Sequence, residues 1–237
     1  MHVVFRSKAP EILLELLKGP KKMRELVEAV GGSATTIEQR IEELKEAGLV
    51  DEKKEKKFPF TRKVMLTKEG EGVARIIEFL RKYYERIPLK KSKWILLLLH
   101  TVGTVRGKTK LQKLIFLMQE DLRKHLPGEE YYDFKPYYYG PFSKELLDDA
   151  ELLVLQGLVE IREELVEVNG EEVTMPVYGL TNIGKGEAEK VLKQLRTELP
   201  LHVLEAVMKN IAYYNKLSAK KLTEIVHRTY PEYVLLQ

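Results

Sequence analysis

Cysteine is absent from the 237-residue sequence, which excludes a disulfide framework, a thiolate-bound zinc finger, an iron–sulfur centre and a thiol nucleophile, and favours a reducing compartment. Long hydrophobic runs are absent too. The longest, Trp94-Ile-Leu-Leu-Leu-Leu99, falls far short of the roughly 20 residues that cross a bilayer, and no basic-then-apolar signal pattern opens the chain. A soluble, cytoplasmic protein without membrane contact is expected. Gln and Asn are scarce beside Lys and Glu, a balance similar to that of heat-adapted proteins.

Catalytic patterns are also missing. The histidines, His2, His100, His125, His202 and His227, have no partner at helical spacing for a metal, and there is no Gly-x-Ser-x-Gly elbow. Asp148-Asp149 reads as a solvated helix face. Gly103-Thr-Val-Arg-Gly-Lys-Thr109 has three residues between its glycines where a phosphate-cradling loop needs four. No catalytic residue, metal or cofactor is expected, and the chain does not read as an enzyme.

Charge of one sign is scarce overall, with 40 Lys and Arg against 36 Asp and Glu, but it is unevenly placed. Residues 1–88 hold 19 basic and 15 acidic side chains, whereas 89–237 hold 21 of each. That remainder is polarised: 89–141 carries ten basic and five acidic residues, and 142–237 carries 11 and 16. The sequence divides into a module at 1–88, a second at 89–199 with an aromatic insertion, and a C-terminal helical extension at 200–237.

Apolar periodicity in the first module predicts helices at 9–18, 22–30 and 34–47, punctuated by Gly19-Pro20, Gly31-Gly32 and Gly48, with Ser33 as N-cap of the third. A charged hairpin follows, from Leu49-Val50 to Lys63-Val-Met-Leu66 with Phe58-Pro-Phe60 at its tip, and a helix at about 68–86 closes the unit. This order is that of a winged helix-turn-helix. Ser33-Ala-Thr-Thr-Ile-Glu-Gln-Arg40, Leu44-Lys-Glu-Ala-Gly-Leu-Val50 and Leu66-Thr-Lys-Glu-Gly70 resemble the winged-helix transcription regulators of the MarR and ArsR type. The resemblance implies a module that binds double-stranded DNA.

On a helical wheel Thr35, Thr36 and Gln39 fall outward with Arg40 at the flank, residue types that read bases or meet phosphate; Glu42, Glu43 and Glu46 also fall outward in the later turns. Lys53, Lys54, Lys56, Lys57, Arg62 and Lys63 on the hairpin, with Lys21, Lys22 and Arg24 at the second helix, form a candidate phosphate surface. Such a run also suits a merely solvated hairpin. The candidate DNA-binding set is Lys21, Lys22, Ser33, Thr35, Thr36, Gln39, Arg40, Lys53, Lys54, Lys56, Lys57, Arg62 and Lys63.

The second module echoes the first. Leu66-Thr-Lys-Glu-Gly-Glu-Gly72 and Leu180-Thr-Asn-Ile-Gly-Lys-Gly186 share Leu-Thr-x-x-Gly-x-Gly, and Gly48-Leu-Val50 matches Gly157-Leu-Val159. Helices are expected at 93–103, 109–125, 143–156 and 183–198, with a hairpin at 158–180 turning at Asn169-Gly170. This wing is acidic, through Glu160, Glu163, Glu164, Glu167, Glu171 and Glu172, and suits an interaction module rather than a phosphate grip.

Thr109-Lys-Leu-Gln-Lys-Leu-Ile-Phe-Leu-Met118 followed by Tyr137-Tyr-Tyr-Gly-Pro-Phe-Ser-Lys-Glu-Leu146 resembles the Panacea (SocA-like) antitoxin domain. The resemblance implies a helical, protein-binding domain, with Lys110, Lys113, Tyr137 and Tyr139 as candidate partner contacts. Residues 200–229 read as two further helices, through Val203, Leu204, Val207 and Ile211 and then Leu222, Ile225 and Val226, that supply a possible dimer interface.

The fold class expected is mainly α with small β-hairpin wings (α+β), as two winged helix-turn-helix domains plus C-terminal helices. The function expected is a homodimeric DNA-binding regulator. The alternative is a tandem winged-helix adaptor or antitoxin-like protein that binds a protein partner.

Overall fold

The computed structural model describes residues 3–54, 62–84, 90–168 and 171–235. The chain divides into two compact units, Met1–Ile87 with Val154–Gln156 and Pro88–Leu153 with Gly157–Gln237. The architecture is mainly α, with two small antiparallel sheets of three strands.

The first unit begins with a 3-10 turn, Val3–Phe5, and continues through α1 (Ala9–Leu17), β1 (Lys21–Lys22), α2 (Met23–Val30), α3 (Ala34–Glu46), β2 (Val50–Lys54), β3 (Arg62–Leu66) and α4 (Lys68–Tyr84). The Ser33 side chain accepts the Thr36 backbone N–H at 3.1 Å and so caps α3. The predicted stripes bury together: Ile12, Leu13 and Leu16 of α1, Leu26 of α2, Ile37, Ile41 and Leu44 of α3, and Ala74 and Ile77 of α4. Phe58 and Phe60 of the expected tip lie outside the described residues.

The second unit consists of α5 (Lys93–Val102), β4 (Thr104–Arg106), α6 (Lys108–Arg123), α7 (Lys144–Leu155), β5 (Val159–Val168), β6 (Glu171–Leu180), α8 (Asn182–Glu198), α9 (Leu201–Lys216), α10 (Ala219–Thr229) and a 3-10 turn, Pro231–Tyr233. The apolar run Trp94 to Leu99 is buried on every side, so α5 is the hub on which α8 and α9 pack. The stripe read as a possible dimer interface is already covered within this unit. Leu204, Val207, Ile211, Leu222 and Val226 are buried as α9 packs on α5 and α6 and α10 packs on α6. The Asn169-Gly170 turn lies outside the described residues.

Two strands were not expected, because two or three residues are too few to show alternation. β1 adds Lys21 and Lys22 to the first sheet in the order β1-β3-β2, and β4 adds Thr104 to Arg106 to the second in the order β4-β6-β5. The phosphate-loop lookalike is therefore a sheet edge followed by a helix, and its Gly107 N–H donates to the Pro176 carbonyl at 2.8 Å.

Both units place the same joint between wing and closing helix. The Thr67 hydroxyl donates to the Gly48 carbonyl at 2.7 Å and accepts the Gly70 N–H at 3.0 Å. The Thr181 hydroxyl donates to the Gly157 carbonyl at 2.6 Å and accepts the Gly184 N–H at 3.0 Å. A Cβ on Gly70 would lie 1.8 Å from the Leu49 oxygen, and one on Gly184 would lie 1.8 Å from the Leu158 oxygen. Gly48 and Gly157 adopt φ of 72° and 74°, a region that L side chains rarely occupy.

The segment 126–142 is pinned to α6 by buried amides. Gln112 donates to the Ser143 carbonyl at 2.7 Å and accepts the Ser143 N–H at 2.9 Å, while Gln119 donates to the Tyr132 carbonyl at 3.2 Å. The Tyr131 ring stacks on Trp94 at 5.3 Å. Asp149 is not a solvated residue: it accepts the Tyr132 hydroxyl at 2.7 Å, and burial raises its carboxyl above the usual range.

Candidate nucleic-acid interface

Helix α3 presents Thr35 and Gln39 to solvent, as its wheel predicts. Thr36 is half-buried, and its hydroxyl shares a hydrogen bond with Ser33 Oγ at 2.8 Å. Arg40 corrects the sequence reading. Only 6 % exposed, it points inward beside Ile37, Ile41 and Leu44; its Nε donates to the Ser7 carbonyl at 3.1 Å and its Nη1 to Glu43. An arginine stem is long enough to run along an apolar face and end on a backbone carbonyl, which a wheel does not register. Arg40 is therefore set aside as a groove contact, and Glu43 is drawn in with it.

The wing shows its arrangement only through strand register. Lys22 of β1 is opposite Lys63 of β3, and Lys63 is opposite Lys53 of β2. Residues directly opposite share a face, so three lysines form one row across the sheet, over roughly 10 Å at ordinary strand spacing. The opposite face carries buried Val50 and Val64. Like charges placed opposite one another destabilise a sheet.

The other cations are differently placed. Lys21 pairs with Glu15 at 3.2 Å, and Lys18 together with Lys21 holds the Glu15 carboxyl below its usual range. Arg62 and Lys45 both bind Glu52, which raises the Lys45 ammonium above its usual range. Lys54 is opposite Arg62 in the ladder. Lys56 and Lys57 lie outside the described residues.

The matching row of the second unit has a different character. Arg106 of β4 is opposite Val177 of β6, and Val177 is opposite Arg162 of β5. The central lysine is replaced by a valine, Arg106 pairs with Glu164 at 3.1 Å and Arg162 with Glu160 at 3.4 Å.

Two of the four expected partner contacts are internal. Lys113 is 1 % exposed and donates to the Tyr139 carbonyl, and burial pushes its ammonium down to about 8. Lys110 donates to the Asn215 carbonyl. These two lysines hold the fold of the second unit, whereas Tyr137 and Tyr139 are exposed beside Tyr138.

Among the described residues, no group of three or more His, Asp or Glu side chains is placed to hold a metal ion, and no helix is long and apolar enough to cross a membrane. The first unit is thus a winged helix-turn-helix with a third strand on its wing. Its residues 9–91 match the HxlR-like helix-turn-helix family. No curated protein matches the sequence.

Proposed function

We propose that the protein is a transcription regulator whose first unit binds duplex DNA, with α3 in the major groove and the wing on the flanking backbone. The observation that carries this reading is the basic Lys22–Lys63–Lys53 row on the same unit as the outward Thr35 and Gln39. Lys22, Lys53 and Lys63 meet phosphates; Lys21, Lys54, Lys56, Lys57 and Arg62 add to the local positive field. Ser33 and Thr36 sit at the helix N-terminus, where hydroxyls and backbone N–H groups suit a phosphate. Thr35 and Gln39 read base edges. The match to the HxlR-like helix-turn-helix family supports this assignment.

The second unit, built on the same joint but with a neutralised row, takes the partner or signal role. A homodimer suits a two-fold DNA site. A second reading, an adaptor or antitoxin-like protein that binds protein only, draws on the exposed Tyr137, Tyr138 and Tyr139 in one turn.

Gel-shift titration of the full chain on random duplex separates the two. Salt-dependent binding that weakens in Lys53→Ala/Lys63→Ala supports the regulator. Capture of a protein partner with no duplex binding at low salt supports the adaptor.

A further inference from the structure

The carboxylate of Glu43 collects three donors. Arg40 binds Oε2, Arg6 reaches Oε1 at 2.7 Å, and Gln39 Nε2 approaches the same Oε1 at 3.4 Å. Arg40 also holds the Ser7 carbonyl, and Lys8 extends its Nζ to the Val30 carbonyl at 3.4 Å. Residues 6–8 are thus tied to the last turn of α2 through Lys8 and to the middle of α3 through Arg40 and Glu43.

An ionised carboxylate only accepts hydrogen bonds. The end of the Gln39 side chain that faces Glu43 is therefore the NH2 group, and its carbonyl oxygen is the end left to solvent. Adenine in the major groove offers an N6 amino donor beside the N7 acceptor, whereas guanine offers two acceptors, N7 and O6. A glutamine with its oxygen turned outward and one N–H still free pairs with adenine and sets oxygen against oxygen at guanine.

We infer that Glu43, held by Arg40 and Arg6, is a positioning residue that fixes the Gln39 amide and so makes one position of the DNA site adenine rather than guanine. This rests on α3 entering the major groove.

The test selects duplexes for the full-length protein from a randomised pool and measures affinities for single-base variants of the winner, across salt. At one position per half-site, adenine is expected to exceed guanine by about tenfold or more. Gln39→Ala, a change at an exposed position, abolishes that preference alone. Glu43→Gln offers either amide end to Gln39 and reduces the ratio at that position below about threefold, with the salt slope and the other positions unchanged. Thermal unfolding of Glu43→Gln checks that it is folded.

An adenine preference unmoved by Gln39→Ala overturns the inference. So does Glu43→Gln weakening every position equally, which is the signature of general loosening. Absence of duplex binding by the wild type at low salt defeats the DNA reading itself and removes the inference with it.

Discussion

Lys53 stands directly opposite Lys63 in the β2–β3 ladder, and Lys22 faces Lys63 from the other side. Like charges placed directly opposite one another weigh against strand pairing. Lys53→Thr relieves one repulsion and adds a good strand former, so the variant gains about 0.2–1 kcal/mol in urea unfolding at low salt. The gain shrinks as salt rises, because the surface charges are then screened.

The two glycines of each Leu-Thr-x-x-Gly-x-Gly segment have opposite expected responses. Gly70→Ala and Gly184→Ala place a methyl 1.8 Å from a backbone oxygen, so each destabilises its unit by about 3 kcal/mol or more. Gly72 and Gly186 have nothing within 4 Å of a Cβ and lie inside helices, so alanine there stabilises by about 0.5–1 kcal/mol. Thermal unfolding of the four single variants checks the pattern.

Lys113 makes stability depend on pH. Burial brings its folded pKa down to about 8, while the unfolded chain titrates near 10.4, about the ordinary lysine value. Between these values the unfolded state binds more protons, so stability rises with pH. From about pH 7.5 to 9.5 the wild type gains about 1–2 kcal/mol relative to Lys113→Met in urea unfolding. That window ends below the tyrosines Tyr131 and Tyr178, whose raised pKa values turn the dependence downward only above pH 10 or so.

Gln112 is a buried anchor for segment 126–142. Gln112→Leu leaves the Ser143 N–H and carbonyl without their side-chain partners and costs about 2–4 kcal/mol. Hydrogen exchange of 126–142 rises in this variant, while exchange in the first unit is unchanged.

The helices of both units are legible because their stripes follow one period, and the shared Leu-Thr-x-x-Gly-x-Gly segment is legible because Thr67 and Thr181 make the same hydrogen bonds at the same spacing. The lysine row is not. It depends on β1, which is two residues long, and on a register that brings Lys22, Lys63 and Lys53 together from three separate segments. Arg40 and Lys113 were misplaced for a shared reason. A long cationic side chain on an apolar face finds a backbone carbonyl, of Ser7 or of Tyr139, that no wheel or motif reveals.

The central claim is that the first unit grips phosphate through its lysine row. Fluorescence titration of a random duplex at several salt concentrations between about 50 and 200 mM measures it directly, with wild type and Lys22→Ala/Lys53→Ala/Lys63→Ala compared. The account predicts wild-type affinity that falls steeply with salt, and a log–log slope shallower by about 2–3 in the triple variant. No binding by the wild type at the lowest salt, or an identical slope in the triple variant, contradicts it.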